Sequence, residues 1–482
     1  MTILDAMDDP SLFARWFTPA DSWLRWSVFL AALFGLPMTP DARAIFREHT
    51  GRERAPLDPR EAWVIAGRRG GKSLIAALVA VYLASFRDYS RHLAPGERAT
   101  VLVLASDRRQ ARVVMRYVEG FLDGVPMLAS LVERRTQEQL DLSTRVSIEI
   151  HASSFSGVRG YSLAGVVLDE LAFWPSDELG ANADREIVRA IRPGLATIPG
   201  SLLVAISSPY ARRGELWNAH RRWFGQEDPR VLVWQASSRD MNPTLPESIV
   251  QQALEEDEPA ARAEYLAEFR SDVEALLTRE AVEACVEPDR FEVGRLPGVA
   301  YHAFVDPSGG SADSMTLAVA HREGEAAVLD CVRERRPPFS PESVVSEFAA
   351  TLRSYGVERV TGDRYGAAWV AERFEKAGIR YQPSEKPKSD LYRELLPAMN
   401  SGRVVLLANE KLVSQLVGLE RRTARGGRDT IDHAPGGHDD LANAAAGVVA
   451  LVLGREQATW ESLYGEHGVI RVDGDEGWQR LA

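Results

Sequence analysis

The segment Ala66-Gly67-Arg68-Arg69-Gly70-Gly71-Lys72-Ser73 joins a short apolar run to an apolar helical stretch, Leu74 to Phe86. Glycines in such a turn let successive backbone N–H groups face phosphate oxygens. A lysine reaches the terminal phosphates, a serine hydroxyl holds Mg²⁺, and the helix N-terminus adds its dipole. Gly67, Arg68, Arg69, Gly70, Gly71, Lys72 and Ser73 therefore form a candidate cradle for ATP with Mg²⁺. Ala66 stands where the motif usually begins with glycine, which is tolerable if its backbone is not at positive φ. A turn that merely joins strand to helix is the alternative, and a second motif weighs against it. Gly165-Val166-Val167-Leu168-Asp169-Glu170 is an apolar strand ending in adjacent carboxylates. Asp169 is suited to binding Mg²⁺ through water, and Glu170 to orienting or deprotonating the attacking water.

Two further features belong with this set. Arg159 lies on a Gly-flanked loop just before the Asp-Glu strand, where a guanidinium could act as an arginine finger on a γ-phosphate; a solvated loop arginine is the alternative. Ser207-Ser208-Pro209 follows the run Leu202 to Ile206, which puts hydroxyls at strand ends where nucleotides bind, or simply makes a turn.

A second group of acids lies downstream. Asp306 ends the strand-like Phe304-Val305-Asp306, Asp363 ends Val360-Thr361-Gly362-Asp363, and Asp439-Asp440 opens a helix after Gly436-Gly437-His438. Separately they read as turns and a helix cap. Together they make a hard-oxygen set that suits Mg²⁺ or Mn²⁺, and two such ions about 4 Å apart stabilise phosphodiester cleavage. His438 is suited to positioning water or DNA, or is an exposed helix-start residue. Arg421, Arg422, Arg425 and Arg428, interleaved with Gly426-Gly427, form a basic hairpin suited to a DNA backbone contact, with a solvated loop as the rival. Lys386 and Lys388 are candidates of the same type.

The elements that must position these residues follow two patterns. Apolar runs 62–66, 101–105, 146–150, 165–168, 202–206 and 231–234 alternate with helical stretches, which predicts a mostly parallel sheet with covered faces. Three strands (301–306, 315–321, 326–332), a helix (341–355) and a strand (357–362) come next in ribonuclease-H order, followed by a helix, strands near 379–382 and 403–407, and a last helix from 439 to 453. In that order the first and fourth strands run side by side, which brings Asp306 and Asp363 together. The fold class expected is α/β: a P-loop ATPase domain at 1–245 with a helical segment at 1–55, a linker at 246–297, a ribonuclease-H-like mixed-sheet nuclease domain at 298–455, and an acidic, mobile tail at 456–482.

Composition bounds the reading. With 482 residues, 45% hydrophobic and 26% charged, the chain fills two cores. Two cysteines, Cys285 and Cys331, supply neither a disulfide framework nor a zinc site. Acidic residues Asp5, Asp8 and Asp9 stand where a secretory signal needs basic ones, and the run Val28 to Met38 is too short to cross a bilayer, so no membrane role is expected. The net charge of −12 excludes a protein that coats nucleic acid through global basicity and leaves local arginine clusters for that contact.

In this succession (P-loop, Arg-Gly loop, Asp-Glu strand, Ser-Ser-Pro, acidic linker helix, then Asp, Asp and His-Asp-Asp) the chain resembles the large terminase subunit of tailed bacteriophages from about residue 20 to 455. The resemblance implies ATP hydrolysis at Lys72, Ser73, Asp169 and Glu170, with Arg159 acting on a neighbouring subunit's ATP. It implies coupling of hydrolysis to movement by Ser207, Ser208 and Pro209, and nuclease metals on Asp306, Asp363 and one or both of Asp439 and Asp440. Its implied partners are double-stranded DNA, the portal protein of a procapsid, a small terminase subunit, and further copies of itself in a ring on the portal. Its implied place is the host cytoplasm, docked transiently on procapsids and absent from the mature virion. A repair or restriction helicase-nuclease, and an ATP-binding scaffold with an inactive nuclease domain, are the alternatives.

Overall fold

The structure, a computed structural model, describes residues 1–153, 157, 160–174, 183–311, 313–363, 367–423, 429–435, 437–454, 469–470 and 479–480. The chain divides into two compact units, Met1–Glu274 and Ala275–Ala482. The stretch 246–297 contributes helices Glu247–Glu256 and Glu258–Leu266 to the first unit and the short helix Arg279–Glu283 to the second.

The first unit is built on strands β1 (Glu61–Ala66), β2 (Ala99–Ala105), β3 (Val132–Arg135), β4 (Gln139–Leu142), β5 (Val146–Ala152), β6 (Leu163–Asp169), β7 (Leu202–Ser207) and β8 (Val231–Ala236). They form one sheet in the order β3-β4-β5-β2-β6-β7-β1-β8. All neighbours are parallel except the β3–β4 and β4–β5 pairs. Every residue of β2, β6 and β7 is buried, as strands covered on both faces must be. Helices α1 (Leu24–Leu33), α2 (Pro40–Thr50), α3 (Lys72–Phe86), α4 (Arg108–Gly124), α5 (Ala183–Leu195), α6 (Gly214–Trp223) and α7 (Glu258–Leu266) belong to this unit. The alanine- and valine-rich α3 is buried along nearly its whole length, which fixes its N-terminus, and with it Lys72, at the end of β1.

The second unit carries β9 (Tyr301–Asp306), β10 (Met315–Glu323), β11 (Ala326–Arg335), β12 (Arg359–Gly362), β13 (Arg380–Pro383) and β14 (Val404–Val405) in the order β13-β12-β9-β10-β11-β14. The meander β9-β10-β11 is antiparallel, whereas β12 runs parallel to both β9 and β13. The first strand is thus flanked by the second and the fourth, the ribonuclease-H arrangement. The helices are α8 (Pro341–Ser354), α9 (Ala367–Lys376), α10 (Lys388–Asn400), α11 (Glu410–Val417) and α12 (Asp440–Leu453), and β15 (Leu419–Arg422) with β16 (Thr430–His433) makes an antiparallel hairpin. α12 packs on the sheet at Gly447, where an added Cβ would lie 2.6 Å from Cδ1 of Phe304 on β9. Cys285 and Cys331 are buried and unpaired. Among the described residues, no helix is long and apolar enough to cross a membrane.

Candidate functional site

The nucleotide-type loop runs from the end of β1 into α3. Ala66 is the last residue of β1, fully buried, paired with Ala236 and outside the set of positive-φ residues, so its methyl is accommodated in ordinary strand geometry. The left-handed positions of the loop are Arg69 (φ +63°) and Gly71 (φ +88°). Gly67 is needed for space: a Cβ there would approach the Ser238 backbone N to 2.6 Å and the Tyr265 carbonyl to 2.7 Å. The loop is braced from outside by Trp26, whose indole N–H donates to Gly70 O at 2.7 Å, and by Arg68, whose guanidinium lies 3.0 Å from both carboxylate oxygens of Glu264 on α7.

Because β7 lies between β1 and β6, the end of β7 stands between the loop and the Asp169-Glu170 pair. Ser208 links the two sides. Its hydroxyl accepts from the buried Lys72 ammonium at 2.7 Å, and its N–H donates to the Glu170 carboxylate at 3.1 Å. The Ser207 hydroxyl reaches the same Glu170 oxygen at 3.2 Å, and Lys72 lies 3.4 Å from the other. Lys72 also donates to the carbonyls of Ala66 and Gly67. Glu170 has φ +50°, which costs a residue with a Cβ about 1–3 kcal/mol and is met mostly at functional sites. Asp169 is fully buried, and burial, with the Glu170 charge second, pushes its carboxyl up to about 7 against a hydrogen bond from Gln110. Its Oδ1 has no hydrogen-bond partner among the described residues. Ser73 follows Lys72 in the first turn of α3, and Pro209 is buried beside Ser208. Arg159 lies outside the described residues.

In the second unit, Val305 of β9 pairs with Gly362 of β12, so Asp306 and Asp363 are the next residues on neighbouring parallel strands. Asp439 and Asp440 open α12, and Thr316 of β10 donates to the Asp440 carbonyl at 2.6 Å, which holds that helix start at the same end of the sheet. Burial first, then repulsion from Asp440, Asp439 and Asp363, holds the Asp306 carboxyl well above the usual carboxylate range, opposed by a hydrogen bond from Asn443. Burial, then Asp439, pushes Asp440 up to about 6. Asp440 Oδ2 and Asn443 Oδ1 are buried without hydrogen-bond partners among the described residues. Carboxylates that repel one another around unsatisfied oxygens suit a hard divalent cation. Among the described residues, however, the three ligand atoms that lie within 4.8 Å of one another belong to Asp432, His433 and Asp439, not to Asp306, Asp363 and Asp440.

The β15–β16 hairpin flanks this group, because Asp432 of β16 and Asp439 share the Lys388 ammonium. Arg421 pairs with Asp429, and Arg422 with buried Glu420 and the His433 carbonyl. Arg425 and Arg428 lie outside the described residues. Lys386 pairs with Glu394. Of the groups that sequence reasoning did not single out, Gln110 had a local signal: Asp107 caps the helix that follows β2, the neighbour of β6. Tyr392 and Asn443 had none.

Solved structures that this chain resembles over most of its length are phage large terminases. The crystal structure of the HK97 bacteriophage large terminase is 16% identical, with 82% of this chain and 91% of that chain covered and a TM-score of 0.37. A large terminase from a thermophilic bacteriophage is 12% identical, with 89% and 98% covered and a TM-score of 0.39. The large terminase nuclease of thermophilic phage G20c with bound magnesium is 18% identical, with 37% and 98% covered and a TM-score of 0.32. No protein-family model and no curated protein matches the chain.

Proposed function

We propose that this chain is the motor and nuclease subunit of a viral DNA packaging terminase, which couples ATP hydrolysis to translocation of double-stranded DNA and cuts concatemeric DNA. The observation that carries the reading is the convergence of Asp306, Asp363, Asp439 and Asp440, from three distant stretches, at one end of the second sheet, in a chain that also carries a built nucleotide loop. Lys72 would offset phosphate charge, Ser73 and Asp169 would hold the Mg²⁺ that accompanies ATP, and Glu170 would orient the attacking water. Ser207 and Ser208, bonded to Glu170 and Lys72, sense the change between nucleotide states and pass it to β7. Divalent ions, Mg²⁺ or Mn²⁺, held by the aspartates would activate water and offset charge on the scissile phosphodiester. Asp306 and Asp363 supply fixed ligands because their strands are rigidly paired, and Arg421, Arg422, Arg425 and Arg428 steer the DNA backbone toward them. Arg159 serves as the finger. The portal, a small DNA-recognition subunit and further copies in a ring are the partners in this reading, in the host cytoplasm.

The test uses the full chain with supercoiled plasmid and with ATP. Nicking is expected with Mn²⁺ or Mg²⁺ and none with EDTA. Asp363→Ala abolishes nicking and spares ATPase, and Glu170→Ala does the reverse. Loss of both activities through either change contradicts two separable sites.

A further inference from the structure

Asp439 and Asp440 are neighbours in the chain, yet their surroundings differ. Asp439 is 5% exposed and both its oxygens are engaged. Oδ2 accepts from the Tyr392 hydroxyl at 2.7 Å and from the Lys388 ammonium at 2.9 Å, and Oδ1 lies 3.3 Å from the same ammonium. Lys388 and Tyr392 are one turn apart on α10, so both reach one carboxylate. The ammonium also holds Asp432 of β16 at 2.7 Å. Asp432, His433 and Asp439 each bring a ligand atom within 4.8 Å of the others, a spacing that suits a cation, and Lys388 already places its positive charge between two of them. Asp440 differs: its Oδ2 is buried and accepts no hydrogen bond from the described residues, and its charge faces Asp439, Asp313 and Glu334, with His438 acting in the opposite direction.

We propose that Lys388 divides this pair. Its ammonium, with Tyr392, commits Asp439 to tying the start of α12 to α10 and β16, and leaves Asp440 as the carboxylate that joins Asp306 and Asp363 on the divalent ions. The assignment rests on the metal-dependent nuclease proposed above. A metal ligand needs free lone pairs, and an ammonium two bond lengths away repels a second cation. Lys388 is thus a positioning residue that keeps ions off the Asp432–Asp439 flank.

Mn²⁺ binding to the full chain, followed by calorimetry, tests the division together with thermal melting in EDTA. Asp440→Asn is expected to weaken Mn²⁺ binding about tenfold or more and to leave the melting temperature in EDTA close to the wild-type value, since its buried Oδ2 accepts no hydrogen bond from the described residues. Asp439→Asn is expected to lower the melting temperature, because it strands Lys388 and Tyr392, while Mn²⁺ affinity stays within about threefold. Lys388→Met is expected to expose the second flank and add a Mn²⁺ equivalent. Equal loss of Mn²⁺ affinity in the two Asp variants, or unchanged stoichiometry in Lys388→Met, overturns the division alone. A wild-type chain that binds no Mn²⁺ overturns the nuclease reading as well.

Discussion

The Ser208 hydroxyl accepts a 2.7 Å hydrogen bond from the Lys72 ammonium, and the two residues are 136 positions apart. Strand β7, wedged between β1 and β6, makes that contact, and the Ser208 N–H extends it to Glu170. Ser208→Ala removes the acceptor and keeps the N–H. We expect ATPase turnover to fall about tenfold, the worth of one charge-assisted bond, with KM for ATP little changed. Steady-state phosphate release measures both; an unaltered rate would remove Ser208 from the cycle.

Ala66 and Gly67 make a contrasting pair. Ala66 has extended geometry, so Ala66→Gly should leave nucleotide affinity within about twofold while costing about 0.5–1 kcal/mol of stability. Gly67→Ala drives a methyl toward the Ser238 and Tyr265 backbone and should abolish binding. Fluorescent-nucleotide titration and melting curves separate the two outcomes.

Gly447 sets the approach of α12 to β9. A methyl there presses on the Phe304 ring, two residues from Asp306, on the helix that carries Asp440. Gly447→Ala should cost about 1–3 kcal/mol of stability and reduce Mn²⁺-dependent nicking more than ATPase. Melting and both activity assays on the same preparation check this; equal losses would detach the packing from the acidic site.

Two histidines make the first unit acid-sensitive. His49 Nδ1 lies 3.0 Å from the Gln235 carbonyl, and its Nε2 accepts from Arg25 at 3.2 Å, which fits the neutral ring. His220 Nε2 lies 2.9 Å from Gln235 Oε1, and its Nδ1 is buried without a partner among the described residues. Burial lowers both pKa values below the ordinary 6.5. At these two rings the unfolded chain binds more protons, so their contribution to stability is complete above about pH 6.5 and is lost as pH falls toward the folded values, by at most about 1.4 kcal/mol per pH unit for each ring. Asp169, held up to about 7 by burial, contributes with the opposite sign over the same window, so the histidine share is read by difference. Urea unfolding followed by fluorescence of Trp234, which lies against His49, should show a larger fall or a smaller rise in midpoint from pH 7.5 to pH 5.5 for the wild type than for His220→Gln. An equal change in the two proteins would mean that the His220 ring charges freely in the fold.

Much of the frame was legible because strands covered on both faces need continuous apolar runs. Each run expected in the first unit lies in a strand of the parallel sheet, and the three-strand opening of the second unit is an antiparallel meander. The edge hairpin β3–β4 was not legible: Val132-Glu133-Arg134-Arg135 is largely exposed and has no apolar run to mark it. Trp26 is buried in the core, and its indole N–H also holds the nucleotide loop, a role no local pattern marks. Glu264 reads as part of an acidic linker, whereas it is the partner of Arg68.

By itself the sequence determined the nucleotide loop, the strand-end acids and the two sheet patterns, because these depend on backbone freedom and on apolar periodicity over a few neighbouring residues. Tertiary structure alone decided which side chains share a charge: Ser208 with Lys72, Gln110 with Asp169, and Lys388 with Asp439 rather than Asp440. Those pairings depend on sheet order and helix placement across tens of residues, and electrostatic coupling acts through distance in space, which no local pattern records.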